Sequence, residues 1–458
     1  MDFTSSPKKR LLFVAYNFPP NGEAGTQRSF RFVKYLSKLN WDLLVLTADP
    51  QDYLPGTPVD VHYLEALPSD LAVIRSSVFR GLSKAIQFRN SLRNRMGSEP
   101  PKHAETSSPV NKSPKVLSRF QQLKDFIALP FTIPDNHSGW FWGSLVRGWF
   151  AMRRQPVDLI YSSGPPWTSH LIAYALSKIS RVPWVADFRD PWARSPWRVN
   201  RSKSQKAMAD LMEKAVVYQA RFIILNTEWT KKEFLHFYQH LASDKFQLIP
   251  NGYEPETFDV IKQTPSTGED SFRLVHAGSL YGGRDPVPLL KAWALFIQQM
   301  TSSPTHFLLS LVGVRDERKD ALHTIVRQLG LEQHVDLVPR VSHAASLQFM
   351  AKADVLLLLQ GGQSLSVPSK LFEYMALNKA VLGLTPAGAA ADILERYPLG
   401  KIVNPNDSDE ILAGILSFFD ERNHVVPRKE IDEFIKPYQA LNLTKKLDHV
   451  LNQALLKA

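Results

Sequence analysis

Five short stretches of the 458-residue chain carry side chains and glycines suited to holding a ligand. The first is Phe18-Pro19-Pro20-Asn21-Gly22-Glu23-Ala24-Gly25-Thr26-Gln27-Arg28. A turn bearing Gly22 and Gly25 ahead of a helix exposes backbone N–H groups that accept a phosphate or a sugar hydroxyl, and Arg28 adds positive charge. The spacing is not that of the dinucleotide fingerprint. The second, Ser162-Ser163-Gly164-Pro165-Pro166, ends an apolar run. The third is Asp187-Phe188-Arg189-Asp190-Pro191-Trp192. Its carboxylates, Asp187 and Asp190, flank an arginine. The set suits sugar hydroxyls, or else an internal salt bridge that fixes the loop.

The fourth stretch is His276-Ala277-Gly278-Ser279-Leu280-Tyr281-Gly282-Gly283-Arg284. Its glycines permit close approach of a ligand, and Arg284 could neutralise a diphosphate. The fifth, Pro368-Ser369-Lys370-Leu371-Phe372-Glu373-Tyr374-Met375-Ala376, follows Gln360-Gly361-Gly362. Ser369 stands where a helix would begin, an anion-accepting place with Lys370 beside it. Glu373 comes one turn later, where a carboxylate could clamp two ribose hydroxyls or help cap its own helix. Asp407-Ser408-Asp409 has a D-x-D spacing that elsewhere holds a metal, but it opens a helical pattern at 410–419 and reads as a cap. His236 and His240 are four apart without a third ligand nearby. No metal site is expected.

These loops need strands and helices to position them. Apolar runs predict strands at Leu11–Tyr16, Leu43–Thr47, Val157–Ser162, Trp184–Ala186 and Arg221–Asn226. Helical spacing predicts helices at 25–39, 168–179 and 204–219, and one capped by Thr227. Further on, strands are predicted at Leu274–Ala277, Phe307–Val312, Val335–Val338, Asp354–Leu359, Ala380–Leu384 and Lys401–Val403. Continuous apolar strands alternating with helices mean parallel sheets covered on both faces. The expected division is an N-terminal domain over 1–250, a linker over 251–270, a second domain over 271–425, and a helical segment over 426–458 packing back on the first domain.

The chain has no cysteine, which excludes disulfides, thiolate metal sites and a thiol nucleophile. No apolar run reaches the ~18 residues of a membrane span. Lys8-Lys9-Arg10 before Leu11–Tyr16 resembles an export signal, but the six-residue apolar run is short for one, so a cytoplasmic protein is expected. Charged residues are 22% of the chain and the net charge is +11. Residues 1–200 hold 26 basic and 15 acidic residues, whereas 201–458 hold 29 of each. The excess concentrates in 71–124, with eleven basic and two acidic residues. Such a zone suits an anionic partner or is a solvated loop. Within it, Ile74, Val78, Leu82 and Ile86 are spaced for one face of a helix over 71–96 that could lie on lipid. Residues 97–116, with four prolines, read as a disordered insertion. No stacking or base-reading motif accompanies the charge, so nucleic acid is not expected.

Taken together, the five stretches and Ile249-Pro250-Asn251-Gly252 resemble the GT-B glycosyltransferases, and among them family four. The resemblance covers the chain outside about 71–125. It implies an α/β fold of two Rossmann-like doubly wound domains facing a central cleft. It implies retaining transfer of a sugar from a nucleotide sugar, UDP- or GDP-linked, to a glycan or lipid-linked acceptor, with no metal and no further cofactor. Carried over, Glu373 would hold the ribose, and Arg284 and Lys370 the diphosphate. Asp187 would join these two as a catalytic group. Gly22, Gly25, Gly278, Ser279, Gly283, Gly362 and Ser369 would line the donor, and Arg28 and Asp190 the acceptor side. Polysaccharide or glycolipid assembly is implied. Peripheral attachment to the inner face of an anionic membrane, with a lipid-linked acceptor, is expected from the basic zone at 71–124 and not from the resemblance.

Two positions depart from the family pattern. Leu365 stands where a glutamate is frequent, eight residues before Glu373, and Ser279 stands where an arginine is frequent. The competing readings are a degenerate GT-B protein that binds a partner at the membrane without catalysis, and a nucleotide-sugar epimerase of the same fold.

Overall fold

The computed structural model describes residues 8–79, 134–194, 203–259, 261, 271–280, 283–362, 364–422 and 426–456. The chain forms two compact units. One comprises 1–26, 41–186 and 201–221, the other 27–40, 187–200 and 222–458.

The strands of the first sheet are β1 (Lys9–Ala15), β2 (Trp41–Ala48), β3 (Ala72–Ser76), β4 (Leu159–Gly164), β5 (Trp184–Phe188), β6 (Phe222–Leu225) and β7 (Phe246–Leu248). They lie in the order β3-β2-β1-β4-β5-β6-β7. β1 pairs in parallel with β2, Leu11 opposite Leu43 and Phe13 opposite Val45, and with β4 on its other side, Leu11 opposite Leu159. Strands such as Leu-Leu-Phe-Val-Ala of β1 are buried throughout because helices cover both faces. Those helices are α1 (Ala24–Leu36), α2 (Trp140–Arg154), α3 (Thr168–Ser180), α4 (Lys203–Gln219) and α5 (Glu228–Phe237). The Thr227 hydroxyl caps α5 by accepting from the Thr230 N–H, as its position in the sequence implies.

The second sheet contains β8 (Ser271–Ala277), β9 (His306–Val314), β10 (Val335–Pro339), β11 (Val355–Leu359), β12 (Ala380–Leu384) and β13 (Gly400–Val403). Its order is β10-β9-β8-β11-β12-β13, all parallel. The helices are α6 (Val287–Gln299), α7 (Asp316–Gln328), α8 (His343–Ala351), α9 (Ser369–Ala376), α10 (Ala389–Leu394), α11 (Ser408–Asp420), α12 (Arg428–Ile435) and α13 (Ala440–Leu456). Alternate residues feed two cores. Leu274, Leu309, Leu311 and Leu357 face one way, where Phe296 meets Phe307 edge-on at 5.2 Å. Val275, Val312, Leu356 and Leu358 face the other, against Leu371, Phe372 and Met375 of α9. In both sheets the winding reverses beside the first strand, between β1 and β4 and between β8 and β11. Open α/β sheets bind ligands at the carboxyl ends of strands at such a reversal.

One expectation is corrected. A helix from Leu71 is not formed at its start: Ala72–Ser76 is strand β3, with Leu46 opposite Ile74. The edge of the sheet offers β2 a partner, and that pairing overrides the helical spacing of Ile74 and Val78. Residues 80–96 of that helix, and the insertion at 97–116, lie outside the described residues. Gly25 lies in the first turn of α1, at the start of the helix expected over 25–39. Within the span expected as a linker, Pro255–Asp259 is a helical turn and Tyr253 bridges Gln439. Helix α2 and strand β7 were not anticipated.

Asp407 caps α11 as the sequence suggests, its side chain accepting from the Asp409 and Glu410 N–H groups. Among the described residues no group of acidic and histidine side chains could hold a metal. As a helix cap, Asp407 replaced by Ala should cost about 1 kcal/mol of stability. Urea unfolding with an unchanged slope and a lower midpoint is the expected result.

Candidate functional site

In the second unit the loops after β8 and β11 meet backbone to backbone. Gly283 adopts φ +87°, and a Cβ on Gly361 would lie 1.9 Å from the Gly283 carbonyl oxygen. Only glycine allows this approach. Beyond Gly283, the Arg284 guanidinium donates to the Ser279 carbonyl at 3.2 Å. Gly278, at the end of β8, donates its N–H to Val312. Across from this loop, Gln360 holds the turn containing Gly362 by donating to the Ser366 carbonyl at 2.8 Å. Leu365, in that turn, is buried.

Helix α9 begins at Ser369 and presents Lys370 and Glu373 on successive turns. The Glu373 carboxylate is 1% exposed. Lys370 Nζ donates to its Oε2 at 2.8 Å, and His343 Nε2, from the first turn of α8, lies 3.1 Å from its Oε1. Burial pushes this carboxyl's pKa up, but the Lys370 ammonium and His343 outweigh it and hold it well below the usual range. A charged carboxylate is thus retained in the interior by partners at its edge.

His276 sits under the same loops. Its Nδ1 is 2.9 Å from the Leu357 carbonyl, and its Nε2 points at Gly278, whose Cβ position would be 3.4 Å away. Burial pushes its pKa down to about 4, aided by the charges of Arg284 and Lys370 against the pull of the Leu357 carbonyl. The imidazole is neutral at pH 7, donating from Nδ1. The Tyr374 hydroxyl accepts from the Ala277 N–H at 3.1 Å, tying α9 to the end of β8.

Arg28 and Asp187, read separately from the sequence, are partners. Arg28 Nε and Nη2 donate to the two oxygens of Asp187, each at 2.8 Å, and the pair is buried. Arg28 also donates to the Ile249 and Pro250 carbonyls at 2.8 Å. Asp187 thus has its ion-pair partner in α1, which the sequence reading does not name. Loss of either partner would strand a buried charge, a penalty of about 3–5 kcal/mol. Asp190, three residues on, is half-buried. In the first unit, Gly22 donates its N–H to the Pro58 carbonyl at 2.8 Å, and a Cβ there would lie 3.2 Å from Pro58. At the end of β4, Ser162 Oγ accepts from Trp184 Nε1 and faces His170 Nδ1, both at 2.8 Å.

Of the side chains around these loops, the sequence reading names Arg284, Lys370 and Glu373 but not His343. The residues around His343 offered only the Ser342 hydroxyl, which caps α8. His276 was in view as the start of a motif, with no role attached.

The buried neutral His276 has a consequence for stability. In the unfolded chain it takes up a proton near pH 6.5, in the folded chain only near pH 4. Its contribution is complete above pH 6.5 and is lost as pH falls towards 4, by as much as about 3 kcal/mol. His276→Asn, which can keep the bond to Leu357, should lack this loss. Unfolding midpoints at several pH values should show the wild-type protein falling more steeply between 6.5 and 4, and equal slopes would refute the assignment.

Comparison with known proteins agrees with this layout. The model of Glycosyltransferase Family 4 matches residues 112–257, and that of Glycosyl transferases group 1 matches residues 257–436. No curated protein matches the chain significantly. Among solved structures, a glycosyltransferase from Rickettsia africae ESF-5 is similar, with TM-score 0.64 and 13% identity over 98% of this chain and 100% of that one. The Anabaena protein Alr3699/HepE in complex with UDP gives TM-score 0.62 and 14% identity over 97% and 100%. Sucrose-phosphate synthase from Thermosynechococcus elongatus gives 0.63 and 14% over 98% and 100%. At these identities the structures establish the fold. With the two adjoining family matches, they make the chain a glycosyltransferase of the GT-B fold, akin to those of family four.

Proposed function

We propose that the chain transfers a hexosyl or related sugar from a nucleotide-sugar donor to a glycan or lipid-linked acceptor, with retention and without a metal, in polysaccharide or glycolipid assembly. The observation that carries this reading is the cluster of Lys370, Glu373 and Arg284 at the winding reversal of the second sheet, with both cations acting on His276. Glu373, kept ionised by Lys370 and His343, accepts hydrogen bonds from the ribose hydroxyls. Lys370 and Arg284 face the diphosphate. Cleavage of the sugar–phosphate bond builds negative charge on the departing oxygen, and fixed cations with the N-terminus of α9 stabilise that charge as it forms. Ser369, Gly278, Ser279, Gly283 and Gly362 supply hydroxyl and backbone contacts to the donor. Gly22 and Gly25 belong to the donor side as well, and Asp190 to the acceptor side. Asp187 and Arg28 act through their mutual bond, as supports rather than reacting groups. The UDP held by the Anabaena protein favours a uridine nucleotide here.

A second reading, a binding protein that has lost catalysis, is favoured by the buried Leu365 and by Ser279 in place of the usual charged residues. Thermal shift against a panel of UDP- and GDP-sugars, paired with release of free nucleoside diphosphate, separates the two. Catalysis is expected, unaffected by a chelator, and Glu373→Ala should weaken nucleotide binding by about 1–3 kcal/mol. Binding without turnover would favour the second reading. Undiminished affinity in the variant would remove Glu373 from the site, and activity lost to a chelator and restored by manganese would overturn metal independence.

A lipid-linked acceptor would bring the protein to the inner face of a membrane as a peripheral component. Among the described residues no helix is long and apolar enough to cross one.

A further inference from the structure

The two faces of α2 differ sharply. Trp140, Ser144, Gly148 and Met152 recur every fourth residue and are buried. A Cβ on Gly148 would lie 3.0 Å from Leu176 Cδ1 of α3 and from Leu46 Cδ2 of β2, so this face is seated closely. Two residues on from Trp140, about 200° round the helix, Trp142 begins a second row with Val146 and Phe150. These three are 70%, 52% and 59% exposed. Phe79, also exposed, adjoins the start of the helix, its N–H donating to the Gly139 carbonyl. A contiguous apolar strip of this kind on a soluble protein marks a contact surface.

The charges beside the strip have one sign. Arg147, Arg153 and Arg154 are exposed, and α2 contains no acidic residue. The Arg153 guanidinium lies 5.5 Å from the Trp149 ring centroid, so that indole carries a cation on its outer side. Tryptophan and arginine together suit a boundary between hydrocarbon and anionic headgroups.

We propose that this face of α2 lies on an anionic lipid surface, with Trp142, Val146 and Phe150 entering the interface and the arginines meeting headgroup phosphates. Charge selects this occupant over two others. The chain's own residues 80–133 hold ten basic and three acidic residues and would be repelled by three arginines. A second copy docked face to face would bring the same arginines together. Anionic lipid neutralises both the helix and the basic segment that precedes it. The inference rests on the lipid side of the proposed function only, and its test uses no nucleotide.

The chain has no cysteine, so Val146→Cys in the full-length protein gives one attachment point for an environment-sensitive fluorophore. Vesicles of phosphatidylglycerol and phosphatidylcholine at low salt should shift its emission to the blue, and phosphatidylcholine alone should not. Raising the salt should reverse much of the shift, since surface charge acts over about 10 Å at 0.1 M. In co-sedimentation, unlabelled W142S/V146S/F150S should bind at least tenfold more weakly than wild type while keeping its unfolding midpoint. Blue emission before lipid is added, independent of protein concentration, would mean that the chain covers its own helix and would overturn the proposal. A blue shift that grows with protein concentration would mean a second copy and would overturn it too. So would a triple variant that sediments like wild type, or a wild-type protein that stays in the supernatant with anionic vesicles at low salt.

Discussion

Parallel strands buried on both faces confine this protein's chemistry to strand ends. In β1, β4 and β11 the interior positions are apolar or uncharged, because helices lie above and below and no water reaches the sheet. Four charged side chains stand where strands stop. Asp187 is the penultimate residue of β5, Arg284 follows β8, and Lys370 and Glu373 follow the loop after β11. The winding reversals then decide which strand ends are neighbours. β8 and β11 are adjacent though about eighty residues apart, with Leu274 opposite Val355. That adjacency puts Gly283 against Gly361 and brings the two loops together.

A second constraint follows from burying charge at those ends. Two interior carboxylates are matched by partners of distinct geometry. Asp187 receives both arms of one guanidinium, the bidentate form that fixes direction as well as charge. Glu373 is divided between an ammonium on one oxygen and an imidazole on the other. The first arrangement closes on itself and anchors the 249–250 segment to the start of α1. The second is open at its edge, because Lys370 and His343 are each about a quarter exposed while Glu373 is not. The contrast explains why one reads as support and the other as a site.

The second sheet was legible in the sequence because its central strands are largely apolar runs, such as Val-Leu-Leu-Leu-Leu of β11, set between helical patterns. Where the reading failed, local signals conflicted with tertiary demands. Ile74 and Val78 have helical spacing, yet β2 needed an edge partner. Phe246–Leu248 is too short to stand out. In α2 the exposed row of Trp142, Val146 and Phe150 adds apolar residues opposite the buried row and blurs the period by which a helix is recognised. The pair Lys370 and Glu373 was visible because three residues separate them on one helix. His343 is thirty positions from Glu373, and Arg28 is 159 from Asp187, distances at which only the fold reveals a partner.

The resident pairing of Lys370 with Glu373 also bears on turnover. A lysine waiting alone for a diphosphate would be left bare when the product departs, and that cost would slow departure. Here the ammonium has an internal counter-ion 2.8 Å away. If Lys370 meets the diphosphate as proposed, a bound diphosphate would share it with Glu373 and, on leaving, hand it back whole. Exchange between an external anion and an internal one would keep the local charge balanced in the filled and empty states. Affinity would be moderated, and the spent nucleotide would be easier to shed.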